Sequence, residues 1–142
     1  MRSCPSGCTP CYSAQVSSTD GNHQSTTCST HHSLKGCEEQ NPHWDWDPSK
    51  IARISPPQRK PRGGILALEE GVRLIVYANR DDAVGVEVLL HAGEVLLFDA
   101  DVIHAGAAYT ERANTRLHVY LDVAGFVREP NYTWFRVQAV PM

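Results

Sequence analysis

From Ile65 to Val123 the chain is a succession of short apolar runs, each closed by turn-forming residues, and none keeps a helical repeat. The runs are Ile65–Leu68, Arg73–Ala78, Val84–Leu90, Glu94–Phe98, Val102–His104 and Arg116–Val123. Between them stand Glu69-Glu70-Gly71, Asn79-Arg80-Asp81-Asp82, His91-Ala92-Gly93, Asp99-Ala100-Asp101 and a longer connection, Ala105–Thr115. Val, Ile, Leu and Tyr dominate the runs, and Gly, Asp or Asn marks most joins. This pattern predicts an all-β domain of consecutive short strands, an antiparallel sandwich or open barrel. Ile51–Gly64, which holds Pro56, Pro57 and Pro61, reads as a loop.

Two runs carry further information. Arg116, His118, Tyr120 and Asp122 alternate with Leu117, Val119 and Leu121, so that strand has one polar and one apolar face. A polar face holding an Arg and a His suggests a pocket wall. Val95-Leu96-Leu97-Phe98 is apolar on both faces and calls for cover on both sides. A second copy of the chain, making a homodimer through the uncovered sheet face, is one way to supply it.

The first forty residues are different. They are rich in Ser, Thr, Cys, Gly and His, and such a stretch buries too little apolar surface to offset the entropy of ordering it. The reading is a disordered tail over residues 1–40 and a folded domain over 41–142. All five cysteines, Cys4, Cys8, Cys11, Cys28 and Cys37, fall in that tail. An odd number confined to one end does not suit a disulfide framework. Cys8 and Cys11 form one C-x-x-C pair, and His23, His31 and His32 could add nitrogen ligands for zinc, but no second pair follows. A reduced tail is preferred over a zinc site.

The chemistry-bearing residues are few. His43-Trp44-Asp45 is an H-x-D pair, and on an extended backbone residues i and i+2 face one side, so both side chains can reach one ion. Alone the pair is weak: with seven histidines, chance supplies roughly 0.4 such pairs in a chain of this length. Support comes later, where the strand Gly93–Phe98, a tight turn and His104-Ala105-Gly106 place another imidazole at a rim beside small residues. Two His and one carboxylate on one face of an octahedron leave three positions open, the arrangement that favours non-haem Fe(II) chemistry. Arg116, on the following strand, could grip a carboxylate with two parallel hydrogen bonds.

In that order and spacing, His43-Trp44-Asp45, Gly93–Phe98, His104-Ala105-Gly106 and Arg116-Leu117-His118-Val119-Tyr120 resemble the C-terminal core of the Fe(II)/2-oxoglutarate dioxygenase superfamily, notably its phytanoyl-CoA-dioxygenase-like branch. The resemblance implies a double-stranded β-helix, the jelly roll shared with cupins, with Fe(II) held by His43, Asp45 and His104. It also implies that Arg116 binds the distal carboxylate of 2-oxoglutarate. The implied activity couples oxidative decarboxylation of 2-oxoglutarate, with O2, to oxidation of a small-molecule or side-chain substrate. Family members carry helices and strands before the H-x-D pair, where this chain has its polar leader, so a jelly roll lacking its early strands is expected.

Other residues stay open at this stage. Trp44 and Trp46 line a substrate mouth or anchor the core, and His118 either supports the metal site or is a satisfied core histidine. Asp47 is a competing carboxylate, but its i+4 spacing from His43 needs a helix, which is not expected here. Lys50, Arg53, Arg59, Lys60 and Arg62 read as a solvated basic loop. Tyr109 and Asn114 shape the connection before Arg116. Two further readings compete: a cupin-type metal protein that does not use 2-oxoglutarate, and a truncated, non-catalytic jelly-roll binding module.

Partners are narrowed by charge. A net charge of −3 argues against a nucleic-acid binder. No apolar run approaches the roughly 18 residues needed to span a membrane, and the polar start offers no secretory signal. A soluble intracellular protein is the expectation.

Overall fold

On Asn114–Asp122, buried and half-buried side chains alternate without a break, as a two-residue period against a closed interior requires. In the computed structural model, which describes residues 16–19, 25–55, 60–129 and 132–136, this strand is central to one of two sheets. The strands are β1 Val16–Thr19, β2 Ser25–Ser33, β3 His43–Trp44, β4 Arg62–Ala67, β5 Val72–Tyr77, β6 Val86–Leu90, β7 Val95–Asp99, β8 Ile103–Gly106, β9 Asn114–Asp122 and β10 Trp134–Phe135, with one helical turn, α1, at Pro48–Ile51.

One sheet has the order β1-β2-β9-β4-β7 and the other β10-β3-β8-β5-β6. Numbering β2 to β9 as one to eight, the sheets read 1-8-3-6 and 2-7-4-5, and every pairing is antiparallel. That is the double-stranded β-helix. The expectation of missing early strands is corrected: residues 25–122 supply all eight.

The correction comes from the presumed tail. Ser25–Ser33 pairs with β9 over its full length, from Ser25 opposite Asp122 to Ser33 opposite Asn114. Its inner face needs no large apolar side chains, because it lies beside β9 in the same sheet and extends the polar pocket wall. Thr26, Thr27 and Thr30 suit a pleated strand, and the ladder satisfies the backbone. Leu34–Gln40 is likewise ordered: Gly36 N–H donates to Tyr109 O at 2.6 Å and Tyr109 N–H to Cys37 O at 3.1 Å. Cys28 and Cys37 are free thiols. Cys4, Cys8, Cys11 and His23 lie outside the described residues.

The second correction is α1. Asp47 precedes it as N-cap, its Oδ1 accepting from Ser49 N–H at 2.9 Å and from the Ser49 hydroxyl at 2.7 Å, and Pro48 occupies the first turn. Hydrogen bonding to Ser49 holds the Asp47 carboxyl below its ordinary range.

Strands pass between sheets at tight turns. Gly71 (φ 83°) lies between β4 and β5, and Gly93 (φ 88°) between β6 and β7, both in the left-handed region that other residues resist. Between the sheets lies an apolar core of Ile65, Ala67, Val72, Leu74, Leu90 and Phe98. Each large side chain there contributes about 1.5–3 kcal/mol by burial. The outer face of β7 is uncovered, with Val95 and Leu97 each more than half exposed. Among the described residues no helix is long and apolar enough to cross a membrane.

Candidate metal centre

The site begins with a two-residue strand. β3 pairs with β8 so that His43 stands directly opposite His104, their ring centroids 4.6 Å apart. Two residues after His43, Asp45 turns to the same side, whereas Trp44 and Trp46 turn into the core. Their indole N–H groups are satisfied, Trp44 by Asp101 O at 3.2 Å and Trp46 by Asp122 Oδ1 at 2.8 Å. Neither Trp lines the cavity, so both are core anchors.

One ligand atom from each of His43, Asp45 and His104 lies within 4.8 Å of the others, and all three residues are buried. The imidazoles are oriented by backbone. Nδ1–H of His43 donates to Asn41 O at 2.8 Å, and Nδ1–H of His104 to Val102 O at 3.2 Å. A carbonyl oxygen can only accept, so each Nδ1 carries a proton and Nε2 is the nitrogen left to face the site. Nε2 of His104 is 3.3 Å from Asp45 Oδ2, and Nε2 of His43 is 3.8 Å from Oδ1. Asp45 Oδ2 and His104 Nε2 are nonetheless buried without a hydrogen-bond partner.

These orphaned atoms test whether the residues suit a cation. Burial of a carboxylate is costly unless positive charge or donors meet it. Burial pushes the Asp45 pKa upward, but His104 and His118 outweigh it and hold the carboxyl well below its ordinary range. Burial and the neighbouring His104 lower His43 to about 4, leaving that imidazole neutral. Burial lowers the His104 pKa, but the Asp45 carboxylate outweighs it and raises the value above the ordinary one, so a metal bound there would displace a proton. A buried carboxylate with two imidazole nitrogens turned toward it is a donor set for a divalent transition metal. The residues fit.

The site opens into a cavity of about 350 Å³ whose lining includes His31, Gln40, Ile65, Leu74, His104 and Arg116. Arg116 is buried at 6% exposure, and among the described residues no carboxylate pairs with it. Its Nη1 donates to Ser33 Oγ at 3.0 Å, and its guanidinium lies 5.7 Å from the Tyr109 ring centre. His31, opposite Arg116 on β2, takes part in a 2.9 Å hydrogen bond with Ser29 Oγ. Burial, helped by His118 and Arg116, lowers it to about 3, so it too is neutral.

The structure therefore brings together all four residues singled out for ligand binding. Of the two readings open for His118, beside the site or in the core, the structure puts its Nε2 3.3 Å from Asp45 Oδ2. The structure adds His31 and Gln40, which lie in the stretch read as a disordered tail; three β-favouring threonines within residues 25–33 are too weak a signal to mark a strand. The basic loop stays outside the cavity: Lys60 pairs with Asp101 at 2.5 Å and Arg62 with Asp99 at 3.0 Å, and Arg59 lies outside the described residues. Tyr109 accepts from Arg73 N–H at 3.0 Å, and Asn114 Nδ2 donates to Glu70 O at 3.3 Å, so both brace the β8–β9 connection.

No family model matches the chain, and no curated protein matches it in sequence. Solved structures do. The capsular polysaccharide assembling protein CapF of Staphylococcus aureus matches with a TM-score of 0.52 and 14% identity over 85% of this chain and 31% of its own. The polyketide cyclase RemF of Streptomyces resistomycificus gives 0.51 and 15%, over 84% and 66%. A prolyl-4-hydroxylase of Pseudomonas putida gives 0.50 and 20%, over 70% and 52%. At these identities the likeness establishes the fold. The chain spans from 31% to 66% of the length of these neighbours.

Proposed function

We propose that this chain is an Fe(II)- and 2-oxoglutarate-dependent oxygenase domain, with iron held by His43, Asp45 and His104 and 2-oxoglutarate anchored by Arg116. One observation carries the reading: a buried His-Asp-His set with orphaned ligand atoms shares a cavity with a buried guanidinium that has no carboxylate partner among the described residues. A metal protein with no acid to bind has little use for such an Arg, since an unpaired buried cation is costly. The motif order, similar to that of the phytanoyl-CoA-dioxygenase-like branch, supports the same reading. So does the presence of a prolyl-4-hydroxylase among proteins of the same fold.

In this reading each residue has a defined task. His43 and His104 offer Nε2, fixed by their bonds to Asn41 O and Val102 O, and Asp45 offers negative charge that partly neutralises a dication. Arg116, steadied by Ser33, takes the far carboxylate of the oxoacid. Ile65 and Leu74 form an apolar wall that limits water around the reacting groups, and Phe98 packs on the His104 ring. Bound iron would supply the activation of O2, coupled to decarboxylation of 2-oxoglutarate to succinate and CO2.

The test is turnover of 2-oxoglutarate alone. Protein loaded anaerobically with Fe(II) and then exposed to O2 should release succinate above a metal-free control, and His104→Ala and Arg116→Ala should not. Metal binding with no response to 2-oxoglutarate would overturn the reading in favour of a cupin-type metal protein.

A further inference from the structure

His118 is the imidazole near the proposed metal that the His-Asp-His set leaves unused. It reaches the site from β9, in the sheet opposite β3 and β8, and is 8% exposed. Its Nε2 stands 3.3 Å from Asp45 Oδ2, the oxygen that His104 Nε2 approaches to the same distance, and His118 Nε2 has no other polar neighbour to satisfy it. Yet His118 does not belong to the cluster whose ligand atoms all approach one another within 4.8 Å.

The ring is fixed on several sides. It stacks on Tyr120 at 4.3 Å with planes 26° apart, and meets His31 edge-on at 5.2 Å. Its Nδ1 is 3.1 Å from the Tyr120 hydroxyl. Tyr120 is itself held, with the Arg128 guanidinium 3.7 Å over its ring and Trp46 against it at 5.9 Å.

Tautomers then separate the three imidazoles. His43 and His104 face carbonyl oxygens through Nδ1, which forces the proton onto Nδ1. His118 faces a hydroxyl, which can donate. Asp45 Oδ2 can only accept, so the proton of a neutral His118 belongs on Nε2, with Tyr120 Oη–H donating to Nδ1.

We infer that His118 and Tyr120 are a positioning pair: His118 holds Oδ2 of the ligand carboxylate Asp45, and Tyr120 sets the tautomer and plane of His118. The inference rests on the proposed metal set. Alternate residues of one strand face, Arg116, His118 and Tyr120, thereby serve the anion anchor, the carboxylate and its brace. Groups that orient metal ligands in this way typically contribute 10–100-fold to metal affinity.

The test uses Co(II) as a spectroscopic probe under anaerobic conditions, with affinity from calorimetry and geometry from visible absorption. His118→Phe should lower Co(II) affinity about 10–100-fold while leaving the spectrum at saturation as in the unaltered protein. His118→Gln, whose amide can donate to Asp45, should restore much of the loss. Tyr120→Phe, which keeps the ring and removes the donor, should weaken binding in the same direction by a smaller factor. A changed spectrum in saturated His118→Phe would make His118 a ligand and overturn the inference, as would unchanged affinity in both His118→Phe and Tyr120→Phe. Should the unaltered protein bind no Co(II), the metal reading itself fails, an outcome distinct from both.

Discussion

His43 and His104 face one another across the single register pair that joins β3 to β8. In an antiparallel pair directly opposed side chains share a face and lie about 5 Å apart. One bridge thus brings together two imidazoles separated by 61 positions in the chain, and Asp45 follows from the two-residue period.

Metal should stabilise the fold through these residues. At a free metal concentration 100 times the dissociation constant, mass action adds about 2.7 kcal/mol, which for a domain this size moves the melting midpoint by roughly 5–20 °C. Fe(II) or Mn(II) should raise the midpoint of the unaltered protein by an amount of that order. In His104→Ala and Asp45→Ala the rise should vanish. Anaerobic thermal denaturation measures it, and an undiminished rise in both variants would place the metal elsewhere.

Arg116 should affect the acid and spare the metal. A charge-assisted bond contributes about 1.5–3 kcal/mol, so Arg116→Ala should weaken 2-oxoglutarate binding by roughly one to two powers of ten per bond lost. Metal-linked stabilisation should persist in the variant. Arg116→Lys should fall between, because an ammonium cannot form the paired fork. Titration of the metal-loaded protein with 2-oxoglutarate decides it.

Gly63 transmits packing to the metal site. A Cβ there would lie 2.5 Å from Phe98 Cε2, and the Phe98 ring packs on His104 at 4.6 Å. Gly63→Ala should therefore cost about 1–3 kcal/mol through overpacking and also weaken metal binding by displacing His104. Urea denaturation gives the first quantity and metal titration the second. A neutral substitution would mean that Phe98 moves freely.

Far from the site, Glu70 accepts a hydrogen bond from the imidazole of His91, close to the Gly71 and Gly93 turns. The bond raises the His91 pKa above its ordinary value and lowers that of Glu70. The His91 share of stabilisation is fully present below the ordinary histidine pKa and is lost as pH rises through the raised value. The Glu70 share is present above the ordinary carboxylate range and is lost as pH falls through the lowered value. The pair should thus support these turns best from mildly acidic pH to about neutrality. NMR titration should place His91 above an exposed reference histidine, and Glu70→Gln should bring it back down.

Much of the sheet was legible because it depends on short-range periodicity. The alternation of Arg116–Asp122 matches the buried inner face and half-buried outer face of β9 residue for residue. Val95-Leu96-Leu97-Phe98, apolar on both faces and read as calling for cover on both, is an outer strand whose Val95 and Leu97 stay exposed. β2 was not legible: its inner face is polar because it continues, beside Arg116 and His118 of β9, the wall of a polar cavity. Local hydrophobicity has no access to a partner more than 80 positions away. Asp47 was misjudged for a different reason, since a cap followed by Pro48 and only one helical turn leaves too short a pattern for periodicity to register.

The amino-acid order by itself determined the two-residue period, the turns at Gly71 and Gly93, and the shared direction of His43 and Asp45, because each depends on neighbours along the backbone. Only the tertiary structure decided which polar groups converge. It set His104 against His43, put His118 beside Asp45, and left Arg116 in the same cavity without an acid partner among the described residues. Those relations come from strand order and register across two facing sheets, where a one-residue slip would turn every ligand to the opposite face.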